Sequence, residues 1–236
     1  MVWGGSNSDP PASAGGYDIT FLKINQQCCP TMDGFSAYEN PFCTRRVRPG
    51  AIPFIFPPGQ NAETLVDRLR QAGWWGEIVG PHGSGKSTLL ATLTAAIDRA
   101  GQQTVLVALH DGQRRLPLKL RSDPRLQTPV VLVVDGYEQL RLWSRWILKR
   151  FCRRHGVGLL VTAHKSVGLP SLCQTAASPS LARQIVGALM GGRELPFTPD
   201  EVSECLSRRD GDLRETLFDL YDLYERRRPS SGQNVT

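Results

Sequence analysis

The 236-residue chain carries 28 Lys and Arg against 22 Asp and Glu, a net charge of +6, and 40% of its residues are hydrophobic. That suits one ordinary α/β domain with a full core and some appendages. No apolar run approaches the roughly 18–20 residues that cross a bilayer, and Met1-Val-Trp-Gly-Gly-Ser6 lacks the basic-then-apolar pattern of a secretory signal.

Residues 1–38 read as an N-terminal extension, of which 1–16 are rich in Gly, Ser, Pro and Asn and expected to be disordered. The cysteines are Cys28, Cys29, Cys43, Cys152, Cys173 and Cys205, with no C-x-x-C pair. Cys28, Cys29 and Cys43 have no fourth metal ligand nearby, so free thiols in a reducing compartment are the expectation. Asn40-Pro41-Phe42 leads into Arg45, Arg46 and Arg48. Ala51–Gly59 is apolar but broken by Pro53, which disfavours a central strand and predicts an extended segment over the core. Asn61 is placed to cap a helix from Ala62 to about Ala72, with Leu65, Val66 and Leu69 on one face and Gly73 closing it.

Trp74–Val79 is an apolar run of strand length. Gly80-Pro81-His82-Gly83-Ser84-Gly85-Lys86-Ser87 follows, matching the phosphate-loop pattern G-x-x-x-x-G-K-[ST] at each fixed position. Thr88–Ile97 then shows helical spacing. The chemistry needs this order. Glycines let successive N–H groups turn toward an anion, and the helix adds its positive end. Lys86 can reach the β- and γ-phosphates, and Ser87 can hold Mg²⁺. The motif and its context assign the chain to the P-loop NTPases, with ATP and Mg²⁺ as the expected ligands. Gly80 through Thr88 form the candidate nucleotide site. Dependence on ATP makes the cytoplasm the expected location.

Thr104–Leu109 reads as a buried strand, followed by an Asp111-Gly112 turn and an irregular basic stretch at 113–128. Val130–Asp135 is a β-branched run ending in a carboxylate, about 50 residues after Lys86. A strand buried on both faces stays apolar until its C-terminal end emerges at the ligand. Asp135 is therefore a candidate Mg²⁺ residue, the alternative being an ordinary strand ending in an Asp-Gly turn. The next acid is Glu138, the candidate to polarise an attacking water. A helix from about Tyr137 to His155 is predicted, with Leu140, Trp143, Ile147 and Phe151 as its apolar stripe. Arg141, Arg145, Lys149 and Arg153 fall on another face, to be read as solvated surface, a DNA-backbone contact or a subunit interface. Gly158–Lys165 reads as the fourth strand, ending in Thr162 and His164. Leu169–Thr175 is a candidate fifth.

Ser178-Pro179 caps a helix to about Met190, closed by Gly191-Gly192. Thr198-Pro199-Asp200-Glu201 is a capping box for a helix to about Arg208. Asp212-Leu213-Arg214-Glu215 opens a last helix with Leu213, Leu217, Leu220 and Tyr224 inward. The expected fold is α/β: a three-layer αβα core with a largely parallel five-stranded sheet over 39–176, a small C-terminal helical lid over 177–226, and a disordered tail at 227–236.

This arrangement resembles compact AAA-type ATPases of bacteria. The resemblance rests on the P-loop, the Val130–Asp135 strand, the Asn40-Pro41-Phe42 lead-in and the C-terminal helices. It implies that the lead-in packs near the adenine. It also implies that Thr162 or His164 acts as a polar sensor beside the γ-phosphate. Gly211-Asp212-Leu213-Arg214 is similar to the family's second sensor, so Arg214 is expected to reach the γ-phosphate. A cation in the first helical turn opposes the dipole, although Asp210, Asp212 or Glu215 could pair with it instead. The sequence departs from the family at Gly136, where Glu usually follows the strand Asp, so binding is more firmly implied than hydrolysis. Three functions remain open: an ATPase acting on a protein partner, a second copy or DNA; a small-molecule or nucleotide kinase; and a nucleotide-binding regulatory module without turnover. No Leu-Ser-Gly-Gly-Gln motif marks an ABC transporter subunit.

Overall fold

A computed structural model of the chain describes residues 40–109, 112, 114, 126, 129–194 and 196–227. The expectations for 1–38, for most of the basic stretch 113–128 and for the tail after Arg227 lie outside the described residues, as do Cys28, Cys29 and Asp111. The elements are α1 (Thr44–Val47), α2 (Ala62–Gln71), β1 (Trp75–Val79), α3 (Lys86–Arg99), β2 (Gln103–Ala108), β3 (Val130–Asp135), α4 (Leu142–His155), β4 (Gly158–Ala163), β5 (Ser171–Gln174), α5 (Pro179–Met190), α6 (Pro199–Arg208) and α7 (Leu213–Arg227).

The five strands form one parallel sheet in the order β2-β3-β4-β1-β5. This is the strand order of the AAA-type ATPases that the sequence resembles. Each face of the sheet is covered, as parallel sheets require. Val130, Leu132 and Val134 pack with Leu148 and Cys152 of α4, while Val131 and Val133 pack with Leu65 and Leu69 of α2 and Leu89 and Leu93 of α3. The period-two alternation of β3 therefore feeds two apolar layers, and all five of its apolar residues are buried. Burying each such side chain contributes about 1.5–3 kcal/mol. A charge at Val133 would have no layer to accept it.

Glu77 is a carboxylate in the middle of β1, nearly inaccessible to water. One oxygen accepts the N–H groups of Val167 and Leu169 at 2.9 and 3.0 Å. Lys149 donates to the carbonyl of Val167 at 2.9 Å. These bonds offset the burial cost and hold the turn between β4 and β5.

Two features of the expected long helix differ in the structure. Tyr137–Gln139 is a separate 3-10 turn, Leu140 is extended, and α4 begins only after Arg141. Gly136 forces the break. It sits at φ 80°, and a Cβ there would lie 2.9 Å from the carbonyl oxygen of Leu109. The buried stripe is also displaced: Leu148 and Cys152 face the sheet, while Trp143 is 70% exposed. The predicted stripe assumed one continuous helix from Tyr137, and the break rotates α4 relative to it.

Helices α5, α6 and α7 enclose their own core of Ala182, Val186, Phe197, Val202, Leu206, Leu217 and Leu220. The predicted caps form: Ser178 accepts the N–H of Leu181, and Thr198 and Glu201 make a reciprocal box. Phe42 belongs to this helical core, against Phe197 and Tyr224. Asn40 donates to the carbonyl of Tyr221 at 3.1 Å and to Glu225 at 2.7 Å. The Asn-Pro-Phe lead-in is thus fastened to the C-terminal helices. The extended segment then crosses to the sheet domain, where Phe54 and Phe56 pack on the α2–α3 layer. No described helix is long and apolar enough to cross a membrane.

Candidate nucleotide site

The chain leaves β1, turns through Gly80–Gly85 and enters α3 at Lys86. Gly85 precedes the helix in a left-handed conformation, so the first turn of α3 presents unpaired N–H groups at the loop. Such a helix start is favourable to anions. Beside it lie the C-terminal ends of β3 and β4, because β1 pairs with β4 and β4 with β3.

Asp135 comes from β3 and Ser87 from the first turn of α3. The Ser87 hydroxyl donates to Asp135 Oδ2 at 2.7 Å. The other oxygen, Oδ1, accepts the Thr162 hydroxyl at 2.5 Å, and Thr162 Oγ1 in turn accepts the N–H of Gly136 at 2.9 Å. Thr162 therefore orients the carboxylate and fixes the turn that follows it. Ser87 Oγ and the Asp135 carboxylate are hard oxygen donors of the kind Mg²⁺ takes, and the ion ordinarily keeps several waters besides.

Lys86 is buried, and its ammonium donates to the carbonyls of Gly80 and Pro81 at 2.8 and 2.5 Å. Burial lowers its pKa, while Glu138, then Asp135 and Asp212, act in the opposite direction. Glu138, in the 3-10 turn, lies 3.3 Å from His164 Nε2 through Oε1. Its Oε2 is buried without a hydrogen-bond partner. His164 packs against His82 of the loop, with ring centroids 5.4 Å apart. The structure thus brings Lys86, Ser87, Asp135, Glu138, Thr162, His164 and His82 into one cluster.

Arg214 is placed differently. It is exposed on α7, its guanidinium 5.9 Å from the centre of the Phe218 ring. The residue of that segment that reaches the loop is Asp212. Its Oδ2 lies 3.4 Å from His82 Nδ1, and its carboxylate occupies the space that a Cβ on Gly83 would need. Asp212 also accepts the N–H of Glu215 at 3.1 Å, starting α7. A second contact the sequence did not announce is Thr175, just past β5. Its hydroxyl meets Ser84 Oγ at 2.7 Å, and its N–H donates to the carbonyl of Val79 at 2.8 Å. Thr175 stands in no pattern that marks it, whereas Asp212 lies within the quoted Gly-Asp-Leu-Arg stretch.

The fold is similar to that of several AAA+ proteins of known structure. DnaA from Aquifex aeolicus, bound to AMPPCP, matches with a TM-score of 0.46 and 13% identity over 72% of this chain and 64% of that one. A RuvB variant from Thermotoga maritima matches with a TM-score of 0.39 and 15% identity, over 68% and 67% of the two chains. A chain of the HORMA:CdnC:Trip13 complex from E. coli MS115-1 gives 0.36 and 14%, over 55% and 58%. The present chain thus spans less than two thirds of the DnaA chain. No protein-family model matches the sequence. No curated protein matches it either.

Proposed function

We propose that this chain is an AAA-type ATPase that binds Mg-ATP at Gly80–Thr88 and hydrolyses it with Glu138. The observation that carries the reading is the 2.7 Å bond from Ser87 to Asp135 beside the buried Lys86 ammonium. It joins the end of the phosphate loop to the end of β3 at one point, where a metal and a γ-phosphate would be held together.

Each residue then has a defined task. Lys86 exchanges the carbonyls of Gly80 and Pro81 for phosphate oxygens, a charge-assisted contact stronger than the neutral ones it leaves. Ser87 and Asp135 would hold Mg²⁺, with Thr162 keeping the carboxylate in place. The metal supplies charge neutralisation on the phosphates. Glu138 accepts a proton from water as the water oxygen bonds to the γ-phosphorus and the bond to the ADP oxygen breaks. The Glu138 carboxylate takes that proton, and His164 lies 3.3 Å from its Oε1.

The short β4–β5 connection supports an ATPase over a kinase. Residues 164–170 carry Lys165 and no arginine, so this connection offers no arginine-rich insert to close over a second substrate. Phosphate release from purified protein tests the proposal. Mg²⁺-dependent release from ATP, lost in Lys86→Ala, is expected. ATP binding without release under any condition would favour the regulatory module. Failure to bind ATP would remove the proposal.

A further inference from the structure

Helix α4 carries an exposed aromatic group that the nucleotide site does not use. Leu142, Trp143 and Trp146 are 79%, 70% and 53% exposed. The two indoles stack, with centroids 5.2 Å apart and planes at 24°. Arg150 lies over the Trp146 ring at 5.8 Å. The result is a column, Arg150–Trp146–Trp143, whose free end is the open face of Trp143.

The surrounding charge has one sign. From Arg141 to His155 the chain has six Lys and Arg and no Asp or Glu. Three of the cations are engaged with groups outside the aromatic column. Arg145 donates to the carbonyls of Leu140 and Glu138, Lys149 to that of Val167, and Arg153 sits over Trp75. Arg141, Arg150 and Arg154 are exposed. Two largely exposed indoles stand beside this charge, while Leu148 and Cys152 make the core contact of α4.

We propose that this face binds single-stranded nucleic acid, one base stacking on the free face of Trp143 and the phosphates lying along Arg150 and Arg154, which share that face of α4. A flat π-face at the end of a stack accepts any base, and flanking cations track the backbone. Three side chains of this size expose on the order of 400 Å². That is well short of the roughly 800 Å² per partner of a stable protein interface. A membrane surface is the weaker fit, because the apolar group spans about one helical turn and the Arg150 guanidinium lies over the Trp146 ring. The inference stands apart from the nucleotide site.

The test uses the full chain and a fluorescein-labelled oligo(dT) of about 20 nucleotides at low salt. Saturable binding with quenching of intrinsic tryptophan fluorescence is expected. Trp143→Ala should weaken it about five- to hundredfold, the range of one lost stacking contact, while Trp143→Phe keeps affinity within about threefold. Arg150→Ala should reduce the salt slope by about 0.7. Both residues are exposed, so their loss leaves the core intact, and unchanged melting temperatures verify this. No binding of the oligonucleotide overturns the proposal. So does equal binding by wild type and Trp143→Ala, which would mean charge alone. Binding of phosphatidylserine vesicles in place of the oligonucleotide would reassign the face to lipid and overturn it equally.

Discussion

Glu138→Gln should stop turnover while leaving nucleotide binding intact. One Glu138 oxygen lies 3.3 Å from His164, the other is buried without a partner, and Glu138 is the foremost of the three acids acting on the Lys86 ammonium. Glutamine preserves the shape and the contact with His164 but cannot take a proton from water. General-base catalysis contributes roughly 10²- to 10⁴-fold, so kcat should fall by about that factor, or about 2.7–5.4 kcal/mol in the barrier. Affinity should move the other way or not at all, because neutralising Glu138 removes its repulsion of the phosphates. Stability supplies the control. A buried carboxylate oxygen without a partner costs on the order of 1–3 kcal/mol, and a neutral amide costs less to bury than a charge. The melting temperature should therefore hold, or rise by about 2–4 °C for each kcal/mol recovered. Phosphate release, titration with a fluorescent ATP analogue and a thermal melt together make the assay. Wild-type turnover in the variant refutes the reasoning. A variant that melts several degrees lower and also loses ATP binding shows a structural brace instead.

Lys86→Ala should weaken ATP binding about ten- to hundredfold, the loss of one charge-assisted contact of about 1.5–3 kcal/mol; unchanged affinity in the same titration would remove the phosphate-loop reading. Asp135→Asn should reduce affinity more with Mg²⁺ than without, since the metal loses a charged ligand partner, and equal losses would separate Asp135 from the metal. Arg214→Ala should weaken ATP more than ADP if the C-terminal helices close on the third phosphate, because a ligand biases closure only through contacts that differ between the two states; an unaltered preference retires that role. Burial pushes the Tyr137 hydroxyl and the Cys152 thiol up to about 12 each, from 10.0 and 9.0. Their folded-state values lie above the unfolded ones, so the stability they contribute is complete below about pH 9 and is lost as pH rises toward 12. Tyr137→Phe should make alkaline unfolding less steep, and a melt series from pH 8 to about 11 measures it.

The sheet was readable because its signals are local. Val130–Asp135 is a β-branched run of strand length that stays apolar to its C-terminal end, and Asn61, Ser178 and Thr198 each mark a helix start by their own side chains. The difference in α4 has a tertiary origin. A helical period was extended through Gly136–Leu140, and Leu140, Trp143, Ile147 and Phe151 do share one face of an unbroken helix. The positive φ at Gly136, required by the carbonyl of Leu109, separates Tyr137 from α4. No period can report a break caused by a neighbouring strand. The basic face divided for a similar reason. Arg145, Lys149 and Arg153 find partners on Glu138, Leu140, Val167 and Trp75, contacts of tertiary origin that spacing does not disclose.

The same glycine bears on the missing Asp-Glu pair. A residue directly after Asp135 must adopt φ near +80° and present no Cβ toward Leu109. Glutamate is poorly suited to that position in this chain. The turn through Tyr137 instead returns the backbone, so that Glu138 acts on Lys86 from a position three residues past Asp135. Arg145 holds the turn by donating to the Glu138 carbonyl at 2.8 Å, and Tyr137 anchors it in the core. An acid supplied from this turn is tied to α4 through Arg145, whereas one supplied from the strand end would be tied only to the sheet. Glu138 therefore depends on α4 through Arg145 and on the end of β4 through His164, while Lys86, Ser87 and Asp135 belong to α3 and β3. In this chain the residue assigned to hydrolysis and the residues assigned to binding rest on different supports.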